Sequence, residues 1–132
     1  MNKTALSIII AGVIVFVGLI IFAGPGSRNN LPKNQPVENS EIRDGVQYVT
    51  INAKGGYSPN VSVAKAGIPT KLVVKTNGTF DCSSSLVLQS ISYKKMLPQT
   101  GEEVIDIGTH KTGEEFQGLC SMGMYNFVIK FI

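Results

Sequence analysis

The chain has 132 residues, and its 12 basic against 9 acidic side chains give a formal net charge of +3. That length allows one modest domain plus an appendage. The charges are scattered, with no basic run and no tryptophan, so the composition excludes a nucleic-acid footprint.

The appendage lies at the amino terminus. Residues 5–23 read ALSIIIAGVIVFVGLIIFA, and with Gly24 they form an apolar, uncharged stretch. Its length of about 20 residues is that of a membrane-spanning helix, whereas the core of a signal peptide has about 7–15. We therefore predict that residues 1–24 are a membrane anchor rather than a cleaved signal segment, with residues 5–24 in the bilayer.

The orientation of this anchor is less well defined by charge. Lys3 precedes the span, whereas Arg28, Lys33 and Arg43 follow it, so the positive-inside count alone leans against a cytoplasmic amino terminus. The domain that follows still fits an exported protein better than a cytoplasmic one. We expect a single-pass protein of the cytoplasmic membrane with its domain on the extracytoplasmic side.

A linker separates the span from the domain. Residues 25–45 are rich in asparagine, proline and charge and poor in large apolar side chains, so they cannot build a core. We predict that they form a disordered tether, which holds the domain off the bilayer.

From Val46 onward, apolar and polar residues alternate with a period of two, which is typical of β-strands. Glycine, proline and asparagine break the pattern into short segments, and no segment has the spacing of an amphipathic helix. About seven strands of this kind favour a β-sandwich or barrel over residues 46–132. The predicted strands are residues 46–52, 61–64, 71–75, 86–92, 103–107, 115–119 and 125–132. In the last strand, one face should carry Tyr125, Phe127, Ile129 and Phe131, and the other Val128 and Ile132.

Sulfur is concentrated just before the last strand, where Cys120 is followed by Met122 and Met124. The only other cysteine, Cys82, lies on the loop after a predicted strand. Three interpretations are open. The cysteines and a thioether can bind Cu(I), which prefers soft ligands; the cysteines can form a disulfide in an exported domain; or the methionines can simply fill the core.

The shape of the sulfur segment has two predicted forms. If residues 120–124 are extended, the three sulfur side chains project to one face. Gly123 can instead adopt a positive φ and close a tight ligand loop.

His110 is the only histidine, and it lies between Gly108 and Gly113 in a predicted turn. A loop histidine beside a lysine is usually solvated, so we do not include it in the site. With one histidine and no phosphate-binding glycine loop, the sequence predicts that the protein is not an enzyme.

Four segments, in this order, resemble the cupredoxin family, and more closely an exported subgroup with a C-x-M-G-M-Y ending. They are residues 55–60 (GGYSPN), 65–69 (KAGIP), the loop 77–82 and residues 120–125 (CSMGMY). The resemblance covers about residues 46–132. It implies an all-β, antiparallel-rich Greek-key β-sandwich, here preceded by a single transmembrane helix.

The resemblance also implies a ligand set. Cys82 stands where blue copper proteins have their first histidine, Cys120 matches the ligand cysteine, and Met124 matches the axial methionine. Met122 lies nearest the place of the second histidine. Because blue copper sites need two imidazoles and this chain has one histidine, that site cannot form within one molecule.

The sequence thus predicts a membrane-tethered copper-binding domain with Cys82, Cys120, Met122 and Met124 as metal ligands and Cu(I) as the favoured ion. It would hold or pass Cu(I), or transfer single electrons, and would meet a copper donor, a copper acceptor or a redox partner. The alternative is a metal-free interaction module with a Cys82–Cys120 disulfide.

Overall fold

A computed structural model describes Val13, Ile14 and residues 36–132. The chain divides into two compact units, Met1–Leu31 and Pro32–Ile132. Val13 and Ile14 are helical and exposed, and the rest of the predicted anchor lies outside the described residues. Among the helices of the described residues, none is long and apolar enough to cross a membrane.

Residues 36–132 fold into ten strands and two single-turn 3-10 helices, without an α-helix. One sheet has the order β1-β2-β5-β8, with β3 paired to β2, and the other has the order β4-β10-β9-β6-β7. Two neighbouring pairs, β2 with β5 and β4 with β10, are parallel, and the others are antiparallel. The strands are β1 (Ser40–Arg43), β2 (Val46–Ala53), β3 (Tyr57–Ser58), β4 (Val61–Ala64), β5 (Thr70–Asn77), β6 (Ser85–Leu88), β7 (Tyr93–Met96), β8 (Thr100–Gly108), β9 (Glu115–Cys120) and β10 (Asn126–Phe131).

Both sheets contribute to one apolar core, so the unit is a two-layer β-sandwich. The alternating pattern of β2 buries Val49 and Ile51, and that of β10 buries Phe127, Ile129 and Phe131. These side chains join buried residues of β5, β6, β8 and β9 in a single cluster. The predicted all-β sandwich and the predicted faces of the last strand are confirmed: Val128 is half-buried and Ile132 exposed.

The sheet begins earlier than the predicted boundary at Val46. β1 lies in the segment predicted as tether and pairs with β2 in antiparallel register. The connection is Asp44-Gly45, with φ of 51° and 77°. Two consecutive positive φ angles are those of a type I′ hairpin turn, for which Asp-Gly is a strong sequence signal. This signal identifies β1, although the strand SEIR is mostly exposed and has no apolar alternation.

The prediction of one strand over residues 86–92 is wrong. β6 ends at Leu88, a 3-10 turn covers Gln89–Ile91, and Ser92 has the left-handed φ of 52°. The chain therefore reverses, and β7 returns antiparallel along β6. The apolar run hides this hairpin because serine seldom adopts a left-handed conformation.

One carboxylate connects the edge strands of the two sheets. Glu103 Oε1 on β8 accepts hydrogen bonds from the Tyr93 hydroxyl at 2.9 Å and from Lys95 Nζ at 2.7 Å, both on β7. The Lys95 hydrogen bond, together with that from Tyr93, holds the pKa of Glu103 below its ordinary value despite partial burial. Burial, followed by the contact with Glu103, raises the pKa of Tyr93 to about 12.

We expect Glu103→Gln to remove a pH-dependent part of the stability. A carboxyl with a lowered folded pKa stabilises above its unfolded pKa of about 4.3, and this contribution disappears as the pH falls through the folded pKa. The free energy of unfolding from urea titrations at pH 7 should therefore be lower for the variant by at most about 1 kcal/mol, and the two proteins should converge near pH 3. An equal difference at both pH values would contradict this account of Glu103.

Candidate metal centre

The two cysteines lie at the same end of the sandwich. Cys82 begins the 3-10 turn Cys82–Ser84, which leads directly into β6, and Cys120 is the last residue of β9. β6 and β9 are neighbours, with Leu86 paired to Cys120. The Ser121 amide also donates to the Ser85 carbonyl at 3.0 Å, so the two cysteine-bearing segments are fixed to each other.

Both cysteines are free thiols, and their side chains are close enough for each to shift the pKa of the other. The neighbouring Cys120 and burial raise the pKa of Cys82 above its ordinary value. Burial acts to raise the pKa of Cys120 too, but the neighbouring Cys82 and the backbone amides of the following loop outweigh it, and the pKa of Cys120 is lowered. The pair therefore favours a thiolate on Cys120, the charged form that binds soft metals.

The loop after Cys120 closes on the sulfur. Gly123 has a φ of 71° and its amide donates to the Cys120 carbonyl at 2.9 Å. The Tyr125 amide then donates to Cys120 Sγ at 3.4 Å, and the amides of Met122 and Met124 also favour the thiolate. The predicted tight loop with a positive φ at Gly123 is confirmed, and the extended alternative is wrong.

The methionines of this loop do not fill the core. Met122 is 75% exposed and Met124 is 64% exposed. Because methionine in a core-filling role is buried, the third interpretation of the sulfur cluster is wrong for both residues. Their thioethers instead lie at the surface, in the loop whose first residue is the buried Cys120.

Met96 is a third exposed thioether that sequence reasoning missed. It ends β7, pairs with Ser85, and accepts a hydrogen bond from the Ser84 hydroxyl at 3.4 Å. Its side chain is 67% exposed. The position of Met96 could not be predicted, because the sequence indicates one strand over residues 86–92. The hairpin that returns β7 beside the Cys82 turn is therefore not apparent from the sequence.

A buried tyrosine lies beneath the cysteine pair. Tyr57 is 6% exposed, and its hydroxyl donates to the Ser83 carbonyl at 3.2 Å. Burial, then the negative charge that Cys120 and Cys82 can carry, raises the pKa of this phenol, so it remains a hydrogen-bond donor. From the sequence, Tyr57 belongs to the segment 55–60 that resembles the family, and no role of its own is predicted for it.

His110 is not part of this centre. Its ring stacks on Phe131 at 4.3 Å between centroids, Nε2 lies 2.9 Å from the Ile107 carbonyl oxygen, and Nδ1 lies 3.2 Å from a Glu114 carboxylate oxygen. The ring also meets Phe116 edge-on, about 13 Å along β9 from Cys120. The prediction that it is solvated is wrong, since its side chain is only 18% exposed.

The donor chemistry of this end fits a soft metal ion. Two thiols lie on adjoining segments, close enough to shift each other's pKa, and the thioethers of Met122 and Met124 follow within four residues of Cys120. Within residues 36–132 and the two described helical residues, no group of three or more histidine, cysteine or acidic side chains could hold a metal ion.

Known proteins give a consistent picture of the fold. A metal-binding domain of the Streptococcus pneumoniae D39 Cu(I)-exporting P-type ATPase CopA, solved with Cu(I), is similar with a TM-score of 0.63 and 19% identity. A copper binding protein solved by NMR in its apo form is similar with a TM-score of 0.62 and 24% identity. Each similarity covers 74% of this chain and 96% of the other.

No curated protein matches the chain. The family model of the cupredoxin-like domain matches residues 14–132, which include the ten strands described above and both cysteines. The chain belongs to the family of cupredoxin-like domains.

Proposed function

We propose that this protein is a copper-binding domain that takes Cu(I) through Cys82 and Cys120, assisted by the thioethers of Met124 and Met122. The observation that carries the proposal is the pairing of the two thiols at one end of the sandwich, with backbone amides directed at Cys120 Sγ. Thiolates and thioethers are the ligands that Cu(I) prefers. The cupredoxin-like family and the Cu(I)-bound state of a similar structure support copper as the metal.

Holding or passing Cu(I) agrees better with this donor set than electron transfer. Sulfur ligands without imidazole stabilise the reduced ion, and the only histidine of the chain lies at the other end of β9. The exposure of both loop methionines gives a partner protein direct access to the rim of the site. The partners we propose are a copper donor and a copper acceptor, and the function is binding and transfer rather than catalysis.

A metal-free interaction module is the second candidate. The observation in its favour is the closeness of the two thiols on adjoining segments, since cysteines placed in this way can also form a disulfide. Intact mass after alkylation separates the two. Protein isolated without reductant and freed of metal should gain two alkyl groups if it is a copper site, whereas a bridged protein is two mass units lighter and gains none.

The two loop methionines should contribute unequally. Met124→Leu keeps bulk and removes a thioether. Since the resemblance matches Met124 to the axial methionine of the family, we expect Cu(I) affinity to fall by about tenfold, or about 1.4 kcal/mol. Met122→Leu should have a smaller effect. Both side chains are exposed, so neither change should alter thermal unfolding of the apo protein. Competition with a chromogenic Cu(I) chelator measures the difference, and equal affinities of all three proteins would refute it.

We also propose that the domain is tethered to the extracytoplasmic side of the cytoplasmic membrane by residues 5–24. The uncharged apolar length of this segment supports an anchor, and the polar linker after it supports a domain held away from the bilayer. Protease added to intact cells should release the domain and leave a small membrane fragment. Protection of the domain until the cells are lysed would place it in the cytoplasm instead.

A further inference from the structure

The Cys82 turn has little apolar packing to hold it. Phe80, two residues before the cysteine, is 77% exposed, and Cys82 itself is only partly buried. The one fully buried residue of the turn is Ser83, a polar side chain. Cys82 packs against the core only in part, so the position of its thiol also depends on hydrogen bonds to this turn.

Asp81 supplies the first set of these bonds. Its Oδ1 accepts hydrogen bonds from the Ser83 amide, at 3.0 Å, and from the Ser83 hydroxyl. Asp81 thereby caps the 3-10 turn. Its Oδ2 accepts from the amide of Gly55, in the turn between β2 and β3. One carboxylate thus connects the turn that carries Cys82 to a hairpin of the other sheet.

Tyr57 supplies the second connection from the same hairpin. Its hydroxyl reaches the Ser83 carbonyl, while its ring packs edge-on against Phe127 at 5.1 Å between centroids. Phe127 is fully buried in β10, just after the loop of Cys120. The tyrosine therefore fixes the Cys82 turn relative to the rigid core beside the Cys120 loop.

We infer that Asp81 and Tyr57 are positioning residues of the copper site, which hold the Cys82 thiol in place against Cys120 before metal arrives. The inference rests on the proposed function. Ordering a single residue costs about 1–2 kcal/mol of conformational entropy. If the turn is already ordered in the apo protein, metal binding does not include this cost. Neither residue need touch the metal, since both act through Ser83.

The experiment compares four variants of the full chain with wild type. Tyr57→Phe keeps the ring and removes only the hydroxyl; Asp81→Ala removes all three accepted bonds, and Asp81→Asn keeps an oxygen acceptor without the charge. The matched control is His110→Ala, which removes packing against Phe131 at the far end of the sandwich. Each reduced apo protein is measured for thermal unfolding, for the alkylation rate of Cys82 by peptide mapping, and for Cu(I) affinity by chelator competition.

We expect Asp81→Ala to weaken Cu(I) binding by about tenfold or more and Tyr57→Phe by about threefold to tenfold, in line with the ordering cost. Cys82 should be alkylated several times faster in both variants, and Asp81→Asn should recover part of each effect. The control should lower the unfolding temperature without changing either the affinity or the alkylation rate.

Two results would overturn the inference. One is an alkylation rate of Cys82 in Tyr57→Phe and Asp81→Asn equal to that of wild type. The other is a loss of Cu(I) affinity in these variants that is no greater than the loss in His110→Ala. If wild type itself fails to bind Cu(I), the proposed function fails, but the alkylation rates still test the positioning role. Should Asp81→Ala not fold, the two conservative variants decide the question.

Discussion

Replacing Cys82 or Cys120 by serine is expected to abolish stoichiometric Cu(I) binding while the sandwich remains folded. A serine hydroxyl is a hard, neutral oxygen ligand, and Cu(I) strongly prefers thiolates. Since both thiolates are needed, we expect either single variant to lose at least about a hundredfold in affinity, or about 2.8 kcal/mol. The measurement is a competition titration of reduced protein against a chromogenic Cu(I) chelator.

Folding of these variants has to be shown in parallel. At position 120 a serine oxygen can still accept the Tyr125 amide hydrogen, so the turn keeps its closing bond. Cys120 is fully buried, and the cost of the change should stay near 1 kcal/mol, which a shift of the thermal midpoint by a few degrees would reveal. A folded double-serine variant that binds Cu(I) as tightly as wild type would end the copper hypothesis.

The second large effect is expected in the core, where Gly118→Ala should destabilise the domain by about 3 kcal/mol. A Cβ atom at this position of β9 would lie 2.2 Å from Cζ of Phe127 and 2.9 Å from Cδ2 of Leu88. The Phe127 ring cannot simply withdraw, because Tyr57 packs against it. Alanine in place of a strand glycine would otherwise be favourable by about 0.5–1 kcal/mol, so the sign of the effect is diagnostic.

Denaturant unfolding measures this prediction, and a second substitution checks its cause. Phe127→Leu removes the ring atoms that the new methyl group would meet, so this change should cost much less in the Gly118→Ala background than in wild type. The paired residues Gly118 and Phe127 are direct cross-strand neighbours, which makes such coupling expected. An unfolding midpoint for Gly118→Ala equal to or above that of wild type would contradict the packing account.

Much of the sandwich could be predicted from the period-two patterns of its buried strands. β4 is found at residues 61–64 as predicted, and β2, β5 and β10 are found within a few residues. β2, β4 and β10 bury one face, so buried residues alternate along them, whereas β5 is marked by its continuous apolar run. The edge strands β1 and β7 lack that constraint, because they are mostly exposed, and only turn residues mark them.

The candidate ligands of the proposed sulfur centre could be named from the sequence, but the residues proposed to support it could not. Cys120, Met122 and Met124 form a contiguous motif, and the single partner cysteine left no choice for the fourth sulfur. The supporting residues Asp81 and Tyr57 act through contacts between segments 26 positions apart in the chain. Such contacts depend on which turns meet at the end of the sandwich, and residue types alone do not specify this.

The wrong prediction that His110 is solvated has a similar origin. Its neighbours in sequence are polar, but it packs against Phe116 and Phe131, which the strand pairing of β9 and β10 brings beside it. A histidine in a glycine-bounded loop is solvated only if no aromatic pair lies under that loop. The aromatic partners become visible only once the register of the two strands is known.

X-ray absorption at the copper edge tests the central claim most directly, because it reports the oxidation state and the ligand atoms together. Reduced protein loaded with one equivalent of copper should show a Cu(I) edge and a shell of sulfur atoms without the scattering of an imidazole ring. The folded double variant Cys82→Ser, Cys120→Ser should retain no stoichiometric copper. A shell dominated by nitrogen or oxygen, or a spectrum unchanged in the double variant, would contradict the sulfur site.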